Sequence, residues 1–438
     1  MKAIVYVSMA ALLAAAPAAA QRIEVPARVT AGEPVPVAIV GLLPGASVTL
    51  RAERIEADYS GPKLFASHAT FVADAQGRID LATAAPISGD YSGADASGPF
   101  WSMRAVEGAP TGLAANEIRL SALVNDKTVA EARILLAHGD ARVVADAVPG
   151  FPGAKLYHLP GGGRRPVIVL LGGSEGGASF ADEAGPMWAS IGYAALGLPY
   201  YSPDWGYGQE IKGLPDAFAD IPVDRLEAAR TWLAAQPGID ASRIGLYGVS
   251  KGGEFAILAA SRFPWLRAVA AVVPSDVVWE AFGKGIDVDG VHSSFAWRGK
   301  PLPFVPYKGM RETIARLFKE TGVRLRVPQD EGRWAHPERA AAARIAIERY
   351  RGALLVAGGA RDGTWASGPM AQAIAERRAE AGLATQLLVF PNAGHGISGT
   401  GYEPAVYPGV DGDPGANAHA QASVRAAAIA MFARVLRP

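Results

Sequence analysis

The sequence predicts an all-β sandwich followed by a mostly parallel α/β sheet with helices on both faces. Three observations carry this. Short alternating apolar runs separated by turns fill residues 21–145; apolar strands then alternate with helical stretches from 146 to 438; and the change of rhythm falls at Pro149-Gly-Phe-Pro-Gly153. A length of 438 residues suggests two or three domains, and a chain that is half hydrophobic and 19% charged can bury large cores.

Residues 1–20 precede the first unit. Lys2, the apolar stretch Ala3 to Ala16 and Pro17-Ala-Ala-Ala20 have the form of a secretory signal peptide. The apolar run is short for a membrane span of about 20 residues. The expectation is cleavage after Ala20 and export, to the periplasm in a Gram-negative host, with no span in the mature chain.

In the first unit Val35, Val37 and Ile39 alternate with smaller residues, as do Val48, Leu50 and Ala52. Leu43-Pro-Gly45 and Asp74-Ala-Gln-Gly77 mark turns, and further runs lie at Glu117–Val124 and Val129–Leu136. Strands of this length and spacing suggest an antiparallel sandwich of immunoglobulin type. No constellation of catalytic side chains clusters there.

In the second unit the expected strands are Pro166–Leu171, Tyr193–Leu198, Ile244–Gly248, Ala268–Val273, Ala353–Ala357 and Gln386–Phe390. Helices are expected at Val223–Ala235, Glu254–Arg262, Ala366–Ala381 and Ala418–Leu436. Residues 276–350 are long for one connection and carry Trp279, Phe295, Trp297, Phe304 and Trp334. They form either an inserted cap near the site or a surface excursion with its own small core.

Lysines and arginines (42) balance aspartates and glutamates (42), and no basic run marks a nucleic-acid track. The absence of cysteine excludes disulfides, thiolate zinc sites and a cysteine nucleophile. The seven histidines are scattered without metal-ligand spacing, so neither a metal nor a cofactor is expected.

The chemistry is concentrated at Gly248-Val-Ser-Lys-Gly252, between an apolar strand and an apolar helix. Gly-x-Ser-x-Gly in that context is a nucleophile elbow, in which a sharp turn lifts the serine oxygen above the sheet edge. The partners follow in the order of an α/β-hydrolase. Asp362 lies just beyond Ala353–Ala357, and His395 just beyond Gln386–Phe390. Parallel strands deliver their carboxyl ends to one edge, so Ser250, Asp362 and His395 are expected to meet there. Asp276, His336 and His419 are the rivals. His419, opening the last helix, is expected to pack or cap.

A developing oxyanion needs preset donors. The backbone N–H of Lys251 is one candidate. The loop Gly172-Gly-Ser-Glu-Gly-Gly177 supplies the other, from Gly173 or Ser174. That loop lacks the Gly-Lys-Ser/Thr ending of a phosphate loop. The Lys251 side chain is expected in solvent, with contact to an anion as the alternative, and Glu254 suits the first helical turn through the helix dipole.

Taken together, Gly32–Arg51, Ser250-Lys-Gly-Gly-Glu254, Arg361-Asp-Gly-Thr-Trp365, Ala393-Gly-His395, Glu403-Pro404 and Ala418-His-Ala-Gln421 resemble the acyl-CoA thioesterase and bile acid-CoA:amino acid N-acyltransferase family. The resemblance covers nearly all of the mature length. It implies hydrolysis of long-acyl thioesters through an acyl-serine, with His395 as base and then acid. The acyltransferase branch typically uses cysteine, so Ser250 points to water as the acceptor. The family's naming members work inside cells, whereas the leader here predicts export. Two other readings stand beside this one: an exported carboxylesterase or acyltransferase acting on a non-CoA ester, and a binding protein with an inert hydrolase half. The expected partner is a small acyl thioester or ester, not nucleic acid.

Overall fold

The computed structural model describes residues 20–437, apart from 59–60, 108–111, 205–209, 287–289, 318, 321 and 405–411. The leader expected over residues 1–20 lies outside the described residues but for Ala20.

The N-terminal unit has two sheets. The larger runs in the order Arg28–Thr30, Lys127–Ala137, Glu117–Val124, Ser47–Asp58, Gly61–Val72 and Ser88–Gly89. Arg104–Ala105 also pairs with Gly61–Val72. The smaller holds Arg22–Glu24, Ala38–Val40 and Ile79–Asp80. Val48, Leu50 and Ala52 point inward from one sheet and meet Val37 and Ile39 in a single core, as a period of two requires. The sandwich is not wholly antiparallel, because Arg28–Thr30 runs parallel to Lys127–Ala137.

The C-terminal unit is an eight-stranded sheet. Its strands are β1 (Val144–Ala147), β2 (Lys155–His158), β3 (Arg165–Leu171), β4 (Ala194–Gly197), β5 (Ile239–Val249), β6 (Leu266–Val272), β7 (Ala353–Gly359) and β8 (Gln386–Phe390). The order is 1-2-4-3-5-6-7-8, parallel from β4 to β8, with β1 and β2 antiparallel at one edge. Successive side chains serve opposite faces. Val167, Val169 and Leu171 of β3 join Ile244 and Leu246 of β5 in one core, while Ile168 and Leu170 join Tyr247 and Val249 in the other. Burial on both faces explains why these strands read as unbroken apolar runs.

Five helices cover the sheet: α1 (Ser179–Ser190), α2 (Arg225–Ala234), α3 (Lys251–Arg262), α4 (Ser367–Glu380) and α5 (Pro414–Leu436). The α5 helix closes the second face. Its Phe432 meets Trp188 edge-on with ring centroids 5.4 Å apart, and Trp188 also packs on Tyr193 and Tyr247. Such pairs add about 0.5–1.5 kcal/mol each beyond burial. Among the described residues no helix is long and apolar enough to cross a membrane.

The 276–350 segment packs partly on itself and partly on a loop of the sheet. Val277, Trp279, Val305 and Ala343 form a small core of their own with Trp365 and Met370. The segment also sits on the loop that carries Asp362: the Arg326 N–H donates to the Gly363 carbonyl at 2.9 Å, and Gln329 Nε2 to that of Thr364 at 3.1 Å.

Candidate active site

The turn between β5 and α3 holds Ser250 at φ 53°, ψ −120°, a strained region for a residue with a side chain. Its neighbours allow the turn by having no Cβ. A methyl on Gly248 would stand 2.1 Å from the Gly252 carbonyl oxygen, and one on Gly252 would stand 2.3 Å from those of Gly172 and Leu171. Strand, helix and the β3 loop therefore converge on the serine.

Ser250, His395 and Asp362 are brought together at the carboxyl ends of β5, β8 and β7. The Ser250 hydroxyl lies 2.9 Å from His395 Nε2, and His395 Nδ1 lies 2.9 Å from Asp362 Oδ2. An ionised carboxylate only accepts, so Nδ1 carries the ring proton and Nε2 is left to accept from the serine. Asp362 is buried, and its Oδ1 accepts from the N–H groups of Thr364 at 2.8 Å and Trp365 at 3.1 Å. The Ser367 hydroxyl donates to Oδ2.

The histidine loop is tied from α5. Asn417 Oδ1 accepts from the Gly394 N–H at 2.7 Å, and Gln421 Nε2 donates to the Gly396 carbonyl at 2.8 Å. Sequence reading missed Asn417 and Ser367, since an orienting side chain on another element leaves no local pattern. The rivals lie elsewhere. Asp276 pairs with Arg333 and approaches Arg377 at 3.8 Å. His336 stands at the N-terminal boundary of a short helix at Pro337–Ala342, with no capping bond from its side chain among the described residues. His419 meets Asp95 of the sandwich unit, with Nε2 2.9 Å from Oδ2.

The Lys251 side chain is not in solvent, contrary to expectation. Only 3% exposed, its ammonium lies 2.6 Å from Glu254 Oε2 and 3.0 Å from Ser294 Oγ, over the rings of Phe218 and Phe295. Burial lowers the pKa of the lysine and raises that of the glutamate, and their mutual attraction opposes both shifts. Glu254 Oε1 accepts from the Trp279 N–H at 3.1 Å, tying α3 to the inserted segment. The reason for the miss is that Phe218, Ser294 and Phe295 come from segments remote in the chain.

Of the oxyanion candidates, the Lys251 amide opens α3, where the first N–H groups lack intrahelical acceptors. The Gly173 amide donates to Glu175 Oε1 at 2.7 Å, whereas no hydrogen bond involving Ser174 is seen among the described residues. Glu175 was overlooked as anything but a loop residue. Among the described residues no group of three or more His, Cys, Asp or Glu is placed to hold a metal ion.

An eight-stranded sheet in this order, with a serine elbow facing a histidine and a carboxylate, defines an α/β-hydrolase-fold enzyme. Residues 32–139 match the acyl-CoA thioester hydrolase/BAAT N-terminal region, and residues 221–407 match the C-terminal region of the same family. The chain belongs to that acyl-CoA thioester hydrolase/BAAT family. It is 28% identical over 385 residues to acyl-coenzyme A thioesterase 5 of Mus musculus, covering 83% of this chain and 82% of that one. It is 26% identical over 398 residues to acyl-coenzyme A thioesterase 1 of Rattus norvegicus, covering 86% and 84%. The match to mouse acyl-coenzyme A thioesterase 6, at 28% identity, takes in 52% of this chain and spans about half (54%) of that protein. A putative dienelactone hydrolase from Klebsiella pneumoniae aligns at a TM-score of 0.42 and 16% identity, over 67% of this chain and 99% of that one.

Proposed function

We propose that this chain is an exported serine hydrolase that cleaves acyl thioesters of the acyl-CoA type through an acyl-serine intermediate. The observation that carries the reading is the unbroken path from Ser250 Oγ through the His395 ring to Asp362, at 2.9 Å for each step. The family's thioesterases supply the substrate class, and the basic and apolar leader motivates export.

The reaction follows from the geometry. His395 Nε2 takes the hydroxyl proton as Ser250 Oγ bonds to the acyl carbon. Asp362 holds the ring and stabilises the imidazolium without taking the proton. Charge growing on the acyl oxygen falls to the Lys251 and Gly173 amides; loss of one such donor costs roughly 3 kcal/mol of barrier in related sites. The carbon–sulfur bond breaks, and the thiolate leaves with the proton from His395. Water then gives a proton to His395 and attacks the acyl-serine, and the Ser250 oxygen leaves with that proton, freeing the acid.

Two measurements test this. A fluorophosphonate should label the chain at Ser250 and leave Ser250→Ala and His395→Ala unmodified. Acyl-CoAs of several chain lengths should be hydrolysed faster than simple esters of the same acyl groups. Labelling without thioester turnover would move the function to an exported carboxylesterase. No labelling of the folded wild type would leave the inert binding protein.

A further inference from the structure

One acceptor already occupies the amide that the acyl oxygen would need. Glu175 Oε1 accepts from the Gly173 N–H at 2.7 Å. Its Oε2 comes within 2.6 Å of the point where a Cβ on Gly173 would stand, and Ser250 Cβ comes within 3.0 Å of that same point. The carboxylate and the nucleophile's side chain therefore border one small space. An acyl oxygen must enter that space if the Gly173 amide is to stabilise it, because an oxyanion donor acts only within about 3 Å.

The loop is held in place around this contact. The Tyr200 hydroxyl donates to the Gly172 carbonyl at 2.6 Å, and the Gly177 N–H donates to that of Tyr201 at 2.8 Å. The amide is thus fixed while the carboxylate rides on a rotatable side chain. Glu175 is part-buried, and no lysine or arginine pairs with it among the described residues. Burial pushes its carboxyl above the usual range, against the pull of the Gly173 N–H, its own N–H and His395. The Gly173 N–H is the donor that the side chain would have to yield to the coming substrate.

We infer that the Glu175 carboxylate is a placeholder for the oxyanion: it occupies the Gly173 N–H above Ser250 in the empty site, and the acyl oxygen displaces it on binding. Glu175 is then a positioning residue that sets the ease of acylation and identifies Gly173, not Ser174, as the second donor. This rests on the hydrolase reading above. The glutamine isostere keeps the shape and an acceptor but loses the charge, and hydrogen bonds to ions are about twice as strong as neutral ones. Displacement should therefore be easier from Glu175→Gln and unnecessary in Glu175→Ala.

The test uses the full chain as wild type, Glu175→Gln and Glu175→Ala. It measures the second-order rate of Ser250 labelling by an uncharged alkyl fluorophosphonate, KM and kcat on a medium-chain acyl thioester, and the melting temperature. In labelling, Ser250 Oγ bonds to phosphorus, fluoride leaves and the hydroxyl proton passes to His395. Labelling should quicken roughly tenfold in Glu175→Ala and by a smaller factor in Glu175→Gln, on the relative strength of charged and neutral hydrogen bonds. KM should fall more than kcat changes. Three results overturn the placeholder: rates unchanged in both variants; rates reduced in both at an unchanged melting temperature, the mark of an acid or base; or loss in alanine rescued by glutamine, the mark of a loop support. If one variant does not fold, the other decides. Wild type unlabelled at Ser250 would sink the hydrolase reading itself, whereas labelled but unaccelerated chains sink only the placeholder.

Discussion

His395 Nε2 stands 2.9 Å from Ser250 Oγ although 145 positions separate the two residues in the chain. Neither residue's neighbours in sequence fix that distance. It follows from β5 and β8 running parallel in one sheet and ending at one edge.

Asp362→Asn should leave the fold intact, since an amide oxygen can still accept from Thr364 and Trp365. It cannot hold the His395 Nδ1 proton in the same way once its nitrogen faces the ring. A fall in kcat of about 10⁴-fold is expected by comparison with other triads. Thioester turnover with circular dichroism on the same sample checks this. A loss below tenfold would remove Asp362 from its orienting role.

Gly252→Ala should weaken the whole unit. Its methyl would meet two backbone carbonyl oxygens at 2.3 Å, and backbone cannot swing aside. About 3 kcal/mol or more of stability should be lost, as in overpacked cores. Urea denaturation measures it, and a midpoint equal to that of wild type would show that α3 and the β3 loop can separate freely.

Lys251→Met and Glu254→Leu should each cost about 3–5 kcal/mol, because either leaves a buried charge without its partner. Glu254→Leu should cost more, since the Trp279 N–H loses its acceptor as well. The double variant should be more stable than the sum of the two losses implies. Strict additivity in a double-mutant cycle would mean the pair does not interact.

Asp240, the second residue of β5, provides a pH-dependent contribution. The Ser242 hydroxyl, with Arg243 and the Ser242 N–H, holds its carboxyl down at about 2, below the roughly 3.9 of an unfolded chain. A depressed carboxylate stabilises the fold fully above its unfolded value, and the effect is lost as pH falls through the folded one. Wild type should therefore exceed Asp240→Asn in melting temperature at pH 6, with the gap narrowing below about pH 4. A gap constant from pH 6 to 3 would contradict this.

Much of the fold was legible because burial on both faces writes itself as apolar runs. The expected strands from Pro166–Leu171 to Gln386–Phe390 correspond to β3–β8, although β5 begins five residues earlier, at Ile239. What escaped were elements with weak patterns. The β1 and β2 strands lie at an edge, and β1 is exposed throughout, so nothing forces its residues to be apolar. The α1 helix carries Gly185 and Pro186 within it, which read as breakers. Gly185 is required there because the Tyr157 ring lies 2.3 Å from where its Cβ would be.

The sequence by itself determined the elbow glycines, the apolar strands and the order of serine, acid and base along the chain, because each depends on residues near in sequence. Only the tertiary structure decided that Lys251 is buried against Glu254, that Asp276 faces arginines instead of His395, and that Glu175 sits on the Gly173 amide. Those outcomes depend on which distant segments fold over a side chain. A lysine or glutamate is solvated or enclosed according to what surrounds it, and its own neighbours in sequence carry no record of that.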